Sequence, residues 1–202
     1  SKTLVYGKHL SVMEVLKTIA SQIDKIFVFH YLGATELAMY TIVSAPIIQV
    51  RSLLANIKTL ALPKFSIQTD RQIKETLLKK IKKLEILIIP VILVYIVIAP
   101  QVFSFFFPQY MDSVFLSQVF SLILIFFPRS ILSSALAARM KTRGLYVLRI
   151  IGPVIQITLL FFCIRFFGLW GLVGGMIISE ACLYVLYYMV FRLSFTCRFD
   201  VS

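Results

Sequence analysis

Between Ile86 and Phe107 the chain carries no ionised side chain, and most of its residues there are Ile, Leu, Val, Phe, Ala or Pro. About 20 consecutive apolar residues is the length of helix that crosses the ~30 Å hydrocarbon core of a bilayer. A segment of this kind reads as a membrane span, with Glu85 the one charge at its edge. Composition extends the reading to the whole chain. It is 59% hydrophobic and 15% charged, with a mean hydropathy of +0.91, whereas a soluble domain averages roughly 45–50% apolar and about 25% charged residues. An ordinary soluble enzyme is excluded, and so is disorder, which requires low hydrophobicity. A ~20-residue window picks out six spans, at residues 10–32, 36–62, 84–107, 111–138, 145–166 and 168–193. The expected fold is therefore all-α and polytopic. The first span is the least apolar, because Glu14, Lys17, Asp24 and Lys25 interrupt it.

A formal charge of +12 has to be placed on this apolar chain. Lys and Arg collect in cytoplasmic loops. The connection after the second span holds Lys64, Arg71, Lys74, Lys79, Lys80, Lys82 and Lys83, and the one after the fourth holds Arg139, Lys141, Arg143 and Arg149. Lys2 and Lys8 precede the first span, and Arg192 and Arg198 follow the last. The three turns on the other side offer Arg165 alone. The bias predicts a multi-pass membrane protein with both termini in the cytoplasm. The run Lys79-Lys80-Ile81-Lys82-Lys83 reads as an orientation anchor against anionic lipid rather than a nucleic-acid site, since it abuts a span. Residues 67–83, with Ile73, Leu77, Leu78 and Ile81 at helical spacing, predict a helix lying at the interface.

The charges inside the spans are the functional candidates. Each costs about 2.5–3.5 kcal/mol to insert and by default faces a protein interior or a hydrated cavity. Glu14, Lys17, Ser21 and Asp24 share one helical face of the first span, beside Lys25. Gln49 and Arg51 lie in the second span, Gln118 and Arg129 in the fourth, Gln156 in the fifth and Glu180 in the sixth. These residues either pair with one another, as Lys17 can with Glu14 or Asp24, or line a pathway. Glu180 is the ambiguous case, since it has no basic neighbour within a turn of its own helix. Pro46, Pro90, Pro128 and Pro153 fall within spans and predict kinks. Gly168, Gly171, Gly174 and Gly175 open the sixth span and predict close helix approach.

The rest of the inventory is negative. Cys163, Cys182 and Cys197 have neither CxxC spacing nor a nearby His, so reduced thiols are expected and no metal site or cofactor. The start of the chain shows no signal peptide, and its lack of an initiating methionine suggests a processed or partial product. No phosphate loop, HExxH or GxSxG motif is present. Of the two histidines, His30 lies near the outer end of the first span, where an aromatic-like interfacial role is expected.

Several segments, taken in order, resemble a known family. They are Ser21-Gln22-Ile23-Asp24-Lys25-Ile26-Phe27 followed by Tyr31-Leu32-Gly33 and Tyr40, then Leu62-Pro63-Lys64-Phe65-Ser66, Phe106-Phe107-Pro108-Gln109-Tyr110 and Phe167-Gly168-Leu169-Trp170-Gly171-Leu172. This succession is similar to Wzx-type (O-antigen) polysaccharide flippases of the multidrug/oligosaccharidyl-lipid/polysaccharide exporter superfamily. The resemblance implies one six-helix lobe, the C-terminal one, of a two-lobe transporter, with a missing N-terminal lobe as its partner. It further implies movement of an undecaprenyl-diphosphate-linked oligosaccharide from the cytoplasmic to the outer leaflet of the bacterial cytoplasmic membrane by alternating access, with no enzymatic step, and makes Asp24 and Glu180 candidate coupling-ion sites. The residues agree with this, since Lys17, Lys25, Arg51 and Arg129 would give a cavity the positive potential that suits a diphosphate. A cation-coupled multidrug exporter of the same superfamily is the alternative and would favour an acidic, aromatic-lined cavity. A glycan polymerase or scaffold is disfavoured by the short outer turns.

Overall fold

A computed structural model describes the backbone of residues 22–66, 70–138 and 142–196, and the side-chain surroundings within 22–55, 81–133 and 151–191. The described residues contain helix and turn only. Helix α1 (Ile23–Leu32) is joined through Gly33 to α2 (Ala34–Ser66), and α3 follows (Asp70–Phe106). A 3-10 turn (Pro108–Ser113) leads into α4 (Val114–Ser121), a second 3-10 segment (Leu122–Phe126), α5 (Arg129–Ala138) and α6 (Thr142–Thr196). Four stretches are long and apolar enough to cross a membrane: Ala34–Ala55, Ile81–Phe106, Pro108–Ser133 and Ile151–Phe191. The protein is an all-helical, polytopic membrane protein.

The last of these stretches has 41 residues, roughly 60 Å of helix at about 1.5 Å per residue and about twice the bilayer's apolar thickness. It does not run straight. Gly168 has φ 58° and ψ −137°, a conformation that only glycine adopts readily, and Gly33 turns the α1–α2 junction in the same way with φ 95°. The helix folds back on itself at this point. A Cβ placed on Gly171 would lie 2.0 Å from the Cys163 carbonyl oxygen, one on Gly175 would meet the Cys163 Cβ at 3.0 Å, and one on Gly152 would meet Leu183 Cδ2 at 3.5 Å. Each of these pairs is centred close to Phe167–Gly168, which is the signature of an antiparallel hairpin. The α6 stretch therefore supplies two crossings, and the glycines let the two arms touch backbone to backbone.

Two local expectations differ from the structure. The amphipathic basic stretch is not a separate interfacial helix, because α3 is continuous from Asp70 to Phe106 and the basic residues form its first turns. The helix passes without interruption through Pro90 and Pro100, and α6 through Pro153. In the fourth span, by contrast, proline does break the helix. Pro128 has no N–H, and its ring would collide with the carbonyl four residues back. The Leu124 carbonyl accepts instead from the Phe127 N–H at 3.0 Å, tightening 122–126 into 3-10 form. A fresh helix starts at Arg129, with the Ile131 N–H donating to the Pro128 carbonyl at 2.9 Å. The span is thus two half-helices rather than one.

Packing follows the demands of lipid rather than of water. Ile88, Ile92, Ala99 and Phe103 form the buried stripe of α3, while Ile86, Leu93, Val94 and Val97 on its other faces are exposed. A helix hydrophobic all round can tolerate this only in a bilayer. The core joins Val28, Tyr40, Val43 and Ile47 of α1 and α2 to Phe120, Ile123, Leu160 and Leu172. Polar contacts fix the register of α4. Ser117 Oγ shares a hydrogen with the Tyr95 hydroxyl and lies 2.9 Å from the Val43 carbonyl, and Gln118 Nε2 donates to the Ile96 carbonyl at 2.8 Å.

Candidate functional site

The turns at Gly33, Phe107–Pro108 and Gly168 lie at one end of the bundle, so depth can be counted from them. Asp24, Tyr40 and Met176 are nine, seven and eight residues from their turns, about 10–14 Å deep at ~1.5 Å per residue. They meet there. The Tyr40 hydroxyl, on a residue only 1% exposed, donates to Asp24 Oδ2 and lies 3.2 Å from Met176 Sδ. Asp24 is itself buried. Its partner in this bond is a neutral phenol, which satisfies a carboxylate lone pair without neutralising the charge.

One helical turn after Met176, on the same face of α6, comes Glu180. Its Oε1 accepts from Arg51 Nη2 of α2 at 2.8 Å, and its Oε2 faces Arg129 Nη2 of α5 at 2.9 Å without the alignment of a hydrogen bond. The Arg129 guanidinium also lies over the Tyr187 ring, 5.5 Å from its centroid, within cation–π range. Arg129 reaches this position because the Pro128 break makes it the first residue of a half-helix. The site thus draws on α2, the broken fourth span and the second arm of the α6 hairpin, and one carboxylate bridges two guanidiniums. Within the triad two arginines face one glutamate, and a further carboxylate, Asp24, lies one layer away. The side chains of Arg51 and Arg129 are 31% and 26% exposed, against 14% for Glu180, so the anion is enclosed and the cations still reach an accessible surface. Below this layer the Tyr184 hydroxyl donates to Glu85 Oε1 at 2.6 Å, tying α6 to the start of the α3 span.

The structure therefore brings Arg51, Arg129 and Glu180 together and seats Asp24 one layer away. Gln118 is spent on the Ile96 carbonyl. Gln49 is exposed, and Lys25 and Gln156 are half-buried. Glu14, Lys17 and Ser21 lie outside the described residues. Glu180, which has no basic neighbour within a turn of its own helix, takes its cations from two other spans. Sequence reasoning passed over Tyr40, Met176 and Tyr187 as partners. The spacing of Met176, Glu180 and Tyr187 at i, i+4 and i+11 could have flagged one face, but nothing along the chain names the helices opposite. His30 is exposed and stacks edge-on to Tyr31 at 4.8 Å. Among the described residues no group of three or more His, Cys, Asp or Glu is placed to hold a metal ion, and Cys163 and Cys182 are free thiols.

Helical spans, a broken helix and a charged seam between them define a class of multi-pass membrane proteins with an ionic interior. Within that class, residues 1–114 match the family described as "Polysaccharide biosynthesis protein", and the chain belongs to this family. The matched region contains Asp24 and Arg51 and ends ahead of Arg129 and Glu180. Comparison with curated proteins and with solved structures returned no match.

Proposed function

We propose that the chain forms a six-helix lobe of a flippase that moves an undecaprenyl-diphosphate-linked oligosaccharide from the cytoplasmic to the outer leaflet, with both termini cytoplasmic. The observation that carries this reading is the arginine pair around Glu180. In lipid, an arginine side chain that keeps about a quarter to a third of its surface exposed by default turns its charge to a hydrated space, and the pair outnumbers Glu180 and has unused N–H donors. Arginine is the side chain whose planar fork suits phosphate oxygens. Membership of a polysaccharide biosynthesis family makes a glycan carried on a lipid diphosphate the natural anion. The flexible lipid tail stays in the bilayer while the head crosses along the polar seam, so the protein has to shelter only charge and sugar. A second lobe facing this one would complete the cavity, and the break at Pro128 supplies a discontinuous helix of the kind that lines substrate paths in secondary transporters.

The test is glycan export in cells that depend on this gene, with Arg51→Ala and Arg129→Ala introduced singly into the full-length protein. Both should lower export at unchanged membrane insertion. Unchanged export in both would remove the arginine pair from the pathway, and export of organic cations in place of glycan would favour a multidrug exporter.

A further inference from the structure

The arginines that would hold a diphosphate are already holding an anion. Glu180 uses one carboxylate oxygen for each, at 2.8 and 2.9 Å, and so ties α6 to α2 on one side and to the second half-helix of the broken span on the other. Each guanidinium has five N–H donors, and the side chains are open enough for a larger anion to approach. Building on the flippase reading, we propose that Glu180 is a resident stand-in for the substrate's diphosphate. The incoming head takes over Arg51 and Arg129 and releases Glu180, so binding unlocks α6 from α2 and α5.

The physical case is one of competing acceptors. A diphosphate carries a negative charge on each phosphate and more oxygens than a carboxylate, so it can accept from both arginines with two bonds apiece. Glu180 offers a single oxygen to each, and only the Arg51 contact is aligned as a hydrogen bond. The exchange conserves ion pairing at the arginines, and its cost falls on the displaced carboxylate. Movement of α6 is the means by which that carboxylate reaches water. Met176, one turn away on the same face, touches Tyr40 of α2 at 3.2 Å, so a shift of α6 also disturbs the layer that contains Asp24. Glu180 is here a positioning residue: it acts through the arginines and does not touch substrate. A ligand that cannot displace it leaves the helices locked, which makes the latch a specificity device against neutral lipids.

The experiment uses full-length protein in nanodiscs and a short-chain polyprenyl diphosphate as probe, with inorganic pyrophosphate and the corresponding polyprenyl alcohol as separate arms. Glu180→Gln removes the competing charge and should tighten binding of the polyprenyl diphosphate about tenfold while leaving the alcohol unchanged. Equal or weaker binding by Glu180→Gln overturns the latch. Tightening with pyrophosphate alone would show that the anion is read without its lipid. Should Glu180→Gln fail to fold, spin labels at the exposed positions Leu53 on α2 and Val185 on α6, with Glu180 intact, decide the matter. The labels should separate on adding the diphosphate probe, and an unchanged distance with probe bound overturns the proposal. Failure of the wild-type protein to bind any diphosphate would count instead against the flippase reading itself.

Discussion

Glu180→Ala is expected to change sign with its background. In the wild-type protein the carboxylate is 14% exposed and shared between side chains that are 31% and 26% exposed. Truncating one arginine removes one charge-assisted contact, worth about 1.5–3 kcal/mol. The partial exposure of each guanidinium lowers this to about 1–2 kcal/mol, and Arg129→Ala adds about 0.5–1 kcal/mol for the lost face of Tyr187. In Arg51→Ala/Arg129→Ala the carboxylate is stranded among apolar helices, and an orphaned buried charge costs about 3–5 kcal/mol. Adding Glu180→Ala to that double variant removes the stranded charge and should return about 2–3 kcal/mol of it. The same substitution in the wild-type background leaves two guanidiniums facing each other and should destabilise. Unfolding of micelle-bound protein by a denaturing detergent, followed by circular dichroism, reads all the corners of the cycle. A Glu180→Ala effect of one sign in both backgrounds would refute the view that the triad is a mutually dependent, largely desolvated unit.

Three other expectations concern the scaffold. Gly171→Val puts a Cβ 2.0 Å from the Cys163 carbonyl oxygen and should cost at least the ~1–3 kcal/mol of an overpacked core, whereas a Cβ on Gly174 meets nothing within 4 Å and Gly174→Ala should be nearly silent in the same unfolding assay. Pro128→Ala restores an N–H that can donate to Leu124; the segment should regain α-helical bonding, seen as slowed amide exchange at 127–129, while Arg129 swings off Glu180 and export falls. Export unchanged despite slowed exchange would show that the break has no part in transport. Cysteine introduced at the exposed positions Lys83 and Gln109 should label from opposite faces of the membrane, position 83 from the cytoplasm only, and labelling of both from one face would overturn the topology.

Much of this architecture could be read along the chain because a bilayer imposes simple length and charge rules. The uncharged run after Glu85 needs no tertiary information to be a span, and the clustering of Lys and Arg between spans needs none to suggest an orientation. Pro128 illustrates the limit of such reading. Five prolines sit within predicted spans with the same local chemistry, yet the structure breaks the helix at Pro128 and carries α2, α3 and α6 through Pro46, Pro90, Pro100 and Pro153. The loss of one hydrogen bond is the same in each case, and packing around the site decides whether the helix is interrupted or continues. Glycine at 171 is similar: a small residue permits close approach, but only the hairpin at Gly168 determines that Cys163 is what approaches.

Hydrophobic length and charge placement are local properties, so the amino-acid sequence alone marks this chain as an all-helical, multi-pass membrane protein and picks out the charges that lie deep within its apolar stretches. The tertiary structure decided what those deep charges do. Glu180 is separated from Arg51 by 129 residues and from Arg129 by the rest of α5 and the first arm of the α6 hairpin, so no spacing along the chain could have paired them. In a low-dielectric interior a charge takes whichever partner the packing of neighbouring helices brings within about 3 Å, and that is settled only when the spans assemble.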